Sequence, residues 1–492
     1  MKKLVLLTVV LLGSFVIAAC GDDPETTPET TPETTPETTP ETTPETTPEA
    51  TPEAVEITFW HAWGEANQSL VEEMFGRFQA ANPDLNVTLT QIGQGGFTDL
   101  RNAMTYAIAA GNTPTMIIGY PDHFAGYLEG NAIIPLDDFI DHPDHGIDLG
   151  DFIPGFIAEN AQFGDNIFSM PLAKSTEMVV YNKTVFDHWK AELGEAFLHP
   201  EELARAATWD DLEDWADVIV GDGLMQCEFL FNADSAANFF INSSRQWGAP
   251  YTDAAGNILV DNETTIEMLD YIKARFEDNT LVLPIEWDEL YGSSNFRAGD
   301  LCMAQGSTAG TRHNIPAPGN TTPGAFGIED GVFELGIMPV IQKEACPTDP
   351  TIDPAEINPR CKTMQQGPNV AIGADASASE KLAAWLFIKH MVSEEETMFF
   401  AMETGYVPVR VSAFNHPTYQ AFLATDDPDE LPFAMAANVA HKQVNFYGFD
   451  PAFTGAVSSS DARDEVGNAI ESLYTNSVAF VMAELRASLN LD

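Results

Sequence analysis

Across residues 57–83, ITFWHAWGEANQSLVEEMFGRFQAANP, the order of apolar and polar side chains spells a strand, a polar-aromatic turn and an amphipathic helix. Val71, Met74, Phe75 and Phe78 recur at helical spacing, and Pro83 stops the pattern. Trp60, His61 and Trp63 stand between strand and helix. Large side chains at the carboxyl end of a strand occupy the place where open α/β sheets hold ligands, so this turn is a candidate binding wall. The same aromatics also suit a core at a strand end.

The pattern continues in alternating units. Leu85, Val87 and Leu89 alternate as a half-buried strand, and IGQGG then leads into a helix carrying Leu100, Met104, Ala107 and Ile108, closed by Gly111. TMIIGY, residues 115–120, reads as a buried strand followed by a helical turn over 123–128. Strand, helix, strand, helix implies a parallel sheet with crossover helices. Residues 170–183 run from a Pro-marked turn into β-branched positions and read as a crossing between lobes. In the second lobe, Thr208 caps a helix that turns Leu212, Trp215, Val218 and Ile219 inward, and residues 262–279 form another. Phe333, Leu335 and Ile337 alternate as a strand. QQGPNVAIGADA reads as a strand returning to the first lobe before a helix over 380–392, and Val466, Ile470, Leu473, Val478, Met482 and Leu485 form a C-terminal helical layer.

Length changes this picture little: 492 residues exceed what one core serves, and 44% hydrophobic content supports a large globular body. Charge changes it more. The formal charge is −53, from 75 acidic and 22 basic residues. Ten of the acids and two of the lysines precede residue 55, so the body still carries about −45. Such a field repels nucleic acid and anionic lipid.

The N-terminus points to a compartment. Lys2 and Lys3 precede an apolar run, and IAAC ends in Cys20; the run is too short to span a membrane and resembles a lipoprotein signal with its lipobox. Six ETTP repeats over residues 25–48 lack apolar residues to order them and read as an extended tether. Once Cys20 takes its lipid, four cysteines remain in an oxidising compartment. Cys346 and Cys361 bracket a Pro- and Asp-rich loop that gains from closure, which leaves Cys227 for Cys302.

Known catalytic motifs are missing from the sequence. GQGGFT lacks the third glycine of a dinucleotide loop, there is neither a GxSxG elbow nor HExxH, and DHPDH over 141–145 reads as a solvated loop. No cofactor and no metal site is expected. The joint order of FWHAW, RFQAANPDLNVT, AAGNTPTMIIGY, PLAKSTEMVVYNK, TWDDLEDWA, AGDLCMAQGSTAG and TGYVPV, spread over residues 55–409, resembles the family 1 extracellular solute-binding proteins of ABC importers, most like its glycerol-3-phosphate-binding and maltose-type sugar-binding members.

That resemblance implies an α/β, two-lobed periplasmic-binding-protein type II fold: a hinged clamp, each lobe a sheet flanked by helices. It places Phe97, Tyr120, Ser175, Ser307, Gly367 and Tyr406 in segments matching the family's ligand positions. Trp60, Trp63 and Lys174 join them from the residue reading: aromatics for the C–H face of a sugar ring, and a cation for a phosphate or carboxylate. Arg312 is a possible helper. Three departures stand out: Pro121 where an acidic residue is expected after Tyr120, NADSAAN where a tryptophan-rich segment is expected, and HKQVNFYGFD where a basic motif is expected.

The expected division is a signal peptide over 1–19, lipidated Cys20 and tether over 20–54, lobe 1 over 55–172 with 366–403, and lobe 2 over 173–365 with 404–492. The expected function is capture of a sugar, oligosaccharide or glycerol-3-phosphate-like solute for an ABC permease, with sugars favoured over glycerol-3-phosphate. The alternative is a tethered surface hydrolase or adhesin acting on a polymer. The chain is expected to be a monomer, anchored on the outer face of the bacterial cytoplasmic membrane and touching lipid only through Cys20.

Overall fold

The computed structural model describes residues 54–253 and 255–491. The signal segment, Cys20 and the tether up to residue 53 lie outside the described residues. Twelve strands occur among those described: β1 (Val55–His61), β2 (Val87–Gly93), β3 (Met116–Gly119), β4 (Met170–Pro171), β5 (Ser175–Asn182), β6 (Phe229–Ala233), β7 (Leu281–Val282), β8 (Leu301–Ser307), β9 (Leu335–Met338), β10 (Thr363–Gln366), β11 (Asn369–Ile372) and β12 (Tyr447–Gly448). They form two sheets, ordered β2-β1-β3-β11-β4 and β12-β10-β5-β8-β6-β7, with β9 also paired to β5.

The first sheet is parallel where the sequence alternates strand and helix: β1 pairs in parallel with β2 and β3, while the returning β11 is antiparallel to β3. Its core gathers Val71, Met74, Phe75 and Phe78 from the helix Glu65–Ala81, the four positions whose spacing marks that helix in the sequence. The second core packs Trp209, Leu212 and Trp215 from the helix Trp209–Ile219, whose N-terminus is capped by Thr208 Oγ1 accepting from Asp211 N at 3.3 Å. Val466, Ile470, Leu473, Val478, Met482 and Leu485 all enter this second core.

The chain passes between sheets at residues 172–174, from β4 to β5, and again at 367–368, from β10 to β11. At the second passage Gly367 adopts φ +87, and a Cβ there would lie 2.0 Å from the Ala173 carbonyl oxygen. Only glycine lets the two crossing segments approach so closely. The 404 boundary needs moving: Tyr406 and Val409 pack in the first core. The helix Glu394–Thr404 ends at Gly405, φ +81, and that left-handed residue turns the chain back beneath Trp63. Lys174 and Val407 then form an antiparallel bridge.

The disulfides join Cys227 to Cys302 and Cys346 to Cys361, with Cα separations of 5.8 and 5.7 Å. No described helix is long and apolar enough to cross a membrane.

Candidate functional site

A cavity of about 690 Å³ lies between the two lobes, at the carboxyl ends of the first-sheet strands. Its aromatic wall comes from the turns that follow those strands. Phe97 opens the helix after β2 and Tyr120 caps the helix after β3; their rings sit 4.6 Å apart, tilted by 52°. Trp63 stacks on His61, donates from Nε1 to the Tyr406 hydroxyl at 3.1 Å, and presents an edge to the cavity. Burial pushes His61 down to about 4, so its imidazole is neutral at pH 7.

The opposite wall rises from the second sheet. Ser307 Oγ donates to Ser175 Oγ at 3.2 Å across the β5–β8 ladder. Next to them Glu177, 2% exposed, accepts from Asn238 Nδ2 at 2.9 Å, Asn242 Nδ2 at 2.6 Å and Gln305 Nε2 at 3.0 Å. Desolvation pushes its carboxyl up to about 7 despite these donors. Asp234, after β6, accepts through Oδ1 from Asn232 Nδ2 at 2.8 Å and Gly292 N at 2.7 Å, and burial raises it to about 6. Tyr251, Tyr291, Asn314 and Arg463 complete this side.

Polar contacts between lobes close one flank. Arg101 meets Asp464 at 2.9 Å, Ser460 donates to Asp122 at 2.8 Å, and Ala452 N donates to Gln162 Oε1 at 2.6 Å. Burial opposes ionisation of Asp122, but His123, Arg463 and the Ser460 hydrogen bond outweigh it and hold the carboxyl below its ordinary value.

Of the residues expected at the site, Trp63, Phe97, Tyr120, Ser175, Ser307 and Tyr406 line this cavity. Three do not. Trp60 lies within β1 rather than in the turn, opposite Ile92 and Ile117, and packs half-buried against the first core. Gly367 serves the close approach of the crossing strands. Lys174, expected to face an anionic solute, is 0% exposed; its Nζ lies 2.5 Å from Glu159 Oε2 and donates to the Gly367 carbonyl at 2.7 Å. Burial presses both members of that pair toward neutrality and their mutual attraction opposes it. Arg312 is spent on the Glu403 carbonyl.

The lining residues that the sequence reading missed had partial signals. Where an acidic residue is expected directly after Tyr120, Asp122 supplies it one position later. The NADSAAN segment, noted for its missing tryptophans, brings Asp234, Ser235 and Asn238 to the wall instead. HKQVNFYGFD, noted for its missing basic motif, brings Phe449 and Asp450 to the wall, while Arg463 carried no signal.

A polar, aromatic-walled cavity between two α/β lobes joined by crossing strands defines a solute-binding clamp of the type II periplasmic-binding fold. The family model for bacterial extracellular solute-binding proteins matches residues 73–428, and this chain belongs to that family. It is 29% identical over 177 residues to the sn-glycerol-3-phosphate-binding periplasmic protein UgpB of Escherichia coli strain K12; the match spans 35% of this chain and 37% of that protein. Among solved structures, UgpB from Mycobacterium tuberculosis in complex with glycerophosphocholine superposes with a TM-score of 0.68 at 20% identity, over 89% of this chain and 98% of that one. The cyclic alpha-maltosyl-1,6-maltose binding protein from Arthrobacter globiformis gives 0.64 at 18%, over 89% and 98%. Maltose-bound MalE3 of T. maritima gives 0.65 at 15%, over 89% and 100%. At these identities the likeness establishes the fold.

Proposed function

We propose that this protein captures a carbohydrate in the interlobe cavity and hands it to an ABC permease, while a lipid on Cys20 and the repeat tether hold it at the outer face of the cytoplasmic membrane. Phe97, Tyr120 and the edge of Trp63 offer ring faces to a sugar, and Ser175, Ser307 and Tyr406 pair with its hydroxyls. The division into two lobes hinged at 172–174 and 367–368 lets closure add contacts that the open form lacks.

The charge balance of the wall is the observation that carries this reading. Among the described residues the cavity is lined by two guanidinium groups: Arg101 is paired with Asp464, and Arg463 acts on Asp122 and Glu177. Asp234 adds a further lining carboxyl with no cation beside it. A doubly charged phosphate needs several fixed donors and would meet carboxylates instead. Calorimetry against sugars, oligosaccharides and glycerol-3-phosphate tests the reading, with scattering to follow closure. Tight, saturable sugar binding with compaction is expected; tight glycerol-3-phosphate binding with sugars inert overturns it.

A further inference from the structure

Resting on that carbohydrate reading, we infer that the bound solute carries a basic amino group that docks on the free face of Asp234, beside Tyr291. The solute class is therefore an amino sugar or a similarly aminated cyclic polyol.

Asp234 lines the cavity and has no basic partner among the described residues: its Oδ1 takes both of its hydrogen bonds, from Asn232 and from the Gly292 amide. Oδ2 faces Gly306, another lining residue. A Cβ on Gly306 would fall 2.7 Å from that oxygen, so a side chain there would crowd Oδ2.

An independent observation points the same way. Asn314 is 5% exposed and lines the same cavity; its Nδ2 is used on the Gly310 carbonyl, and its Oδ1 has no hydrogen-bond partner. That oxygen is sealed from the cavity in this state, so it counts as an acceptor short of a donor and not as a contact already open to the solute. Hydroxyls donate one hydrogen each, whereas an ammonium donates three and carries the charge that Asp234 lacks. The open ring of Tyr291, 63% exposed at the cavity, suits the methylene or methine carbons next to such a nitrogen. Arg463 acts on Asp122 and Glu177 and is not among the groups that act on Asp234.

The test is a thermal-shift and calorimetric panel on the full chain, using matched pairs of neutral and amino-substituted mono- and disaccharides of gluco, galacto and manno configuration, with choline and glycerol-3-phosphate as further probes. At least one aminated member is expected to bind ten-fold or more tightly than its neutral partner. Asp234→Asn, which keeps the Oδ1 acceptor and so the fold, should collapse that preference toward unity, and Gly306→Ala should weaken it by covering Oδ2. If neutral members bind as tightly as aminated ones, the amino-group inference falls while the carbohydrate reading stands. If only choline or glycerol-3-phosphate binds, or nothing does, both fall. A preference that survives Asp234→Asn in a folded variant also overturns the inference.

Discussion

Replacing Lys174 with methionine separates a ligand-binding cation from a structural one. The side chain is fully buried, ion-paired to Glu159 at 2.5 Å and hydrogen-bonded to the Gly367 carbonyl, within the first crossing between the lobes. Two unit charges ~3 Å apart in an effective dielectric of ~20 attract by roughly 5–6 kcal/mol, while burying each ion costs several kcal/mol, so the intact pair is close to break-even. Removing one member is different: Glu159, 2% exposed, keeps its desolvation cost and loses its counterion. Lys174→Met is therefore expected to destabilise the fold by about 3–5 kcal/mol. Glu159→Gln alone should also destabilise, and the double variant Glu159→Gln/Lys174→Met should be less damaged than the sum of the two, because no charge is left unpaired. Urea denaturation followed by tryptophan fluorescence reads all three differences. The reasoning is refuted if Lys174→Met keeps wild-type stability but loses ligand binding, since that would return Lys174 to the cavity.

The pH dependence of Glu177 has a definite sign: its folded value of about 7 lies above the ordinary 4.5, so the fold binds the extra proton and this stabilisation fades as pH rises through that window. Relative to Glu177→Gln, the wild type should lose up to ~3 kcal/mol between pH 4.5 and about 8, and parallel denaturation profiles for the two proteins would contradict this. Gly367→Ala, which forces a side chain to within 2.0 Å of the Ala173 carbonyl at φ +87, should cost at least ~2 kcal/mol, and an unchanged melting temperature would show the crossing to be adaptable. Cys20→Ala should move the protein from the membrane fraction to the soluble fraction of its cells; retention in the membrane would remove the lipid anchor from the account.

Elements with strong periodicity were legible because burial is written into their spacing. The helix Glu65–Ala81 and the C-terminal layer bury the residues their patterns select, and Thr208 caps where a threonine before an apolar period should. Pairings across the chain left weaker traces. Lys174 looked like a ligand group because nothing local shows that Glu159, fifteen residues upstream, meets it underneath the crossing. Trp60 and Trp63 looked alike in composition, yet β1 continues through His61, which holds Trp60 in the ladder and leaves Trp63 for the turn. Arg463 was invisible for another reason: a polar position on a helix marks solvent, and which such position faces the opposite lobe is a property of the packed pair.

The central claim, a small solute held between the lobes, is tested most directly by filling the cavity. Ser307 stands on its wall at the end of β8, and Ser307→Trp places an indole where the solute would lie. Calorimetric titration with the best-binding saccharide of the panel should give saturable, one-to-one binding to the wild type and none to Ser307→Trp, with far-ultraviolet circular dichroism showing the variant folded. Undiminished binding to that folded variant would place the solute elsewhere and contradict the account.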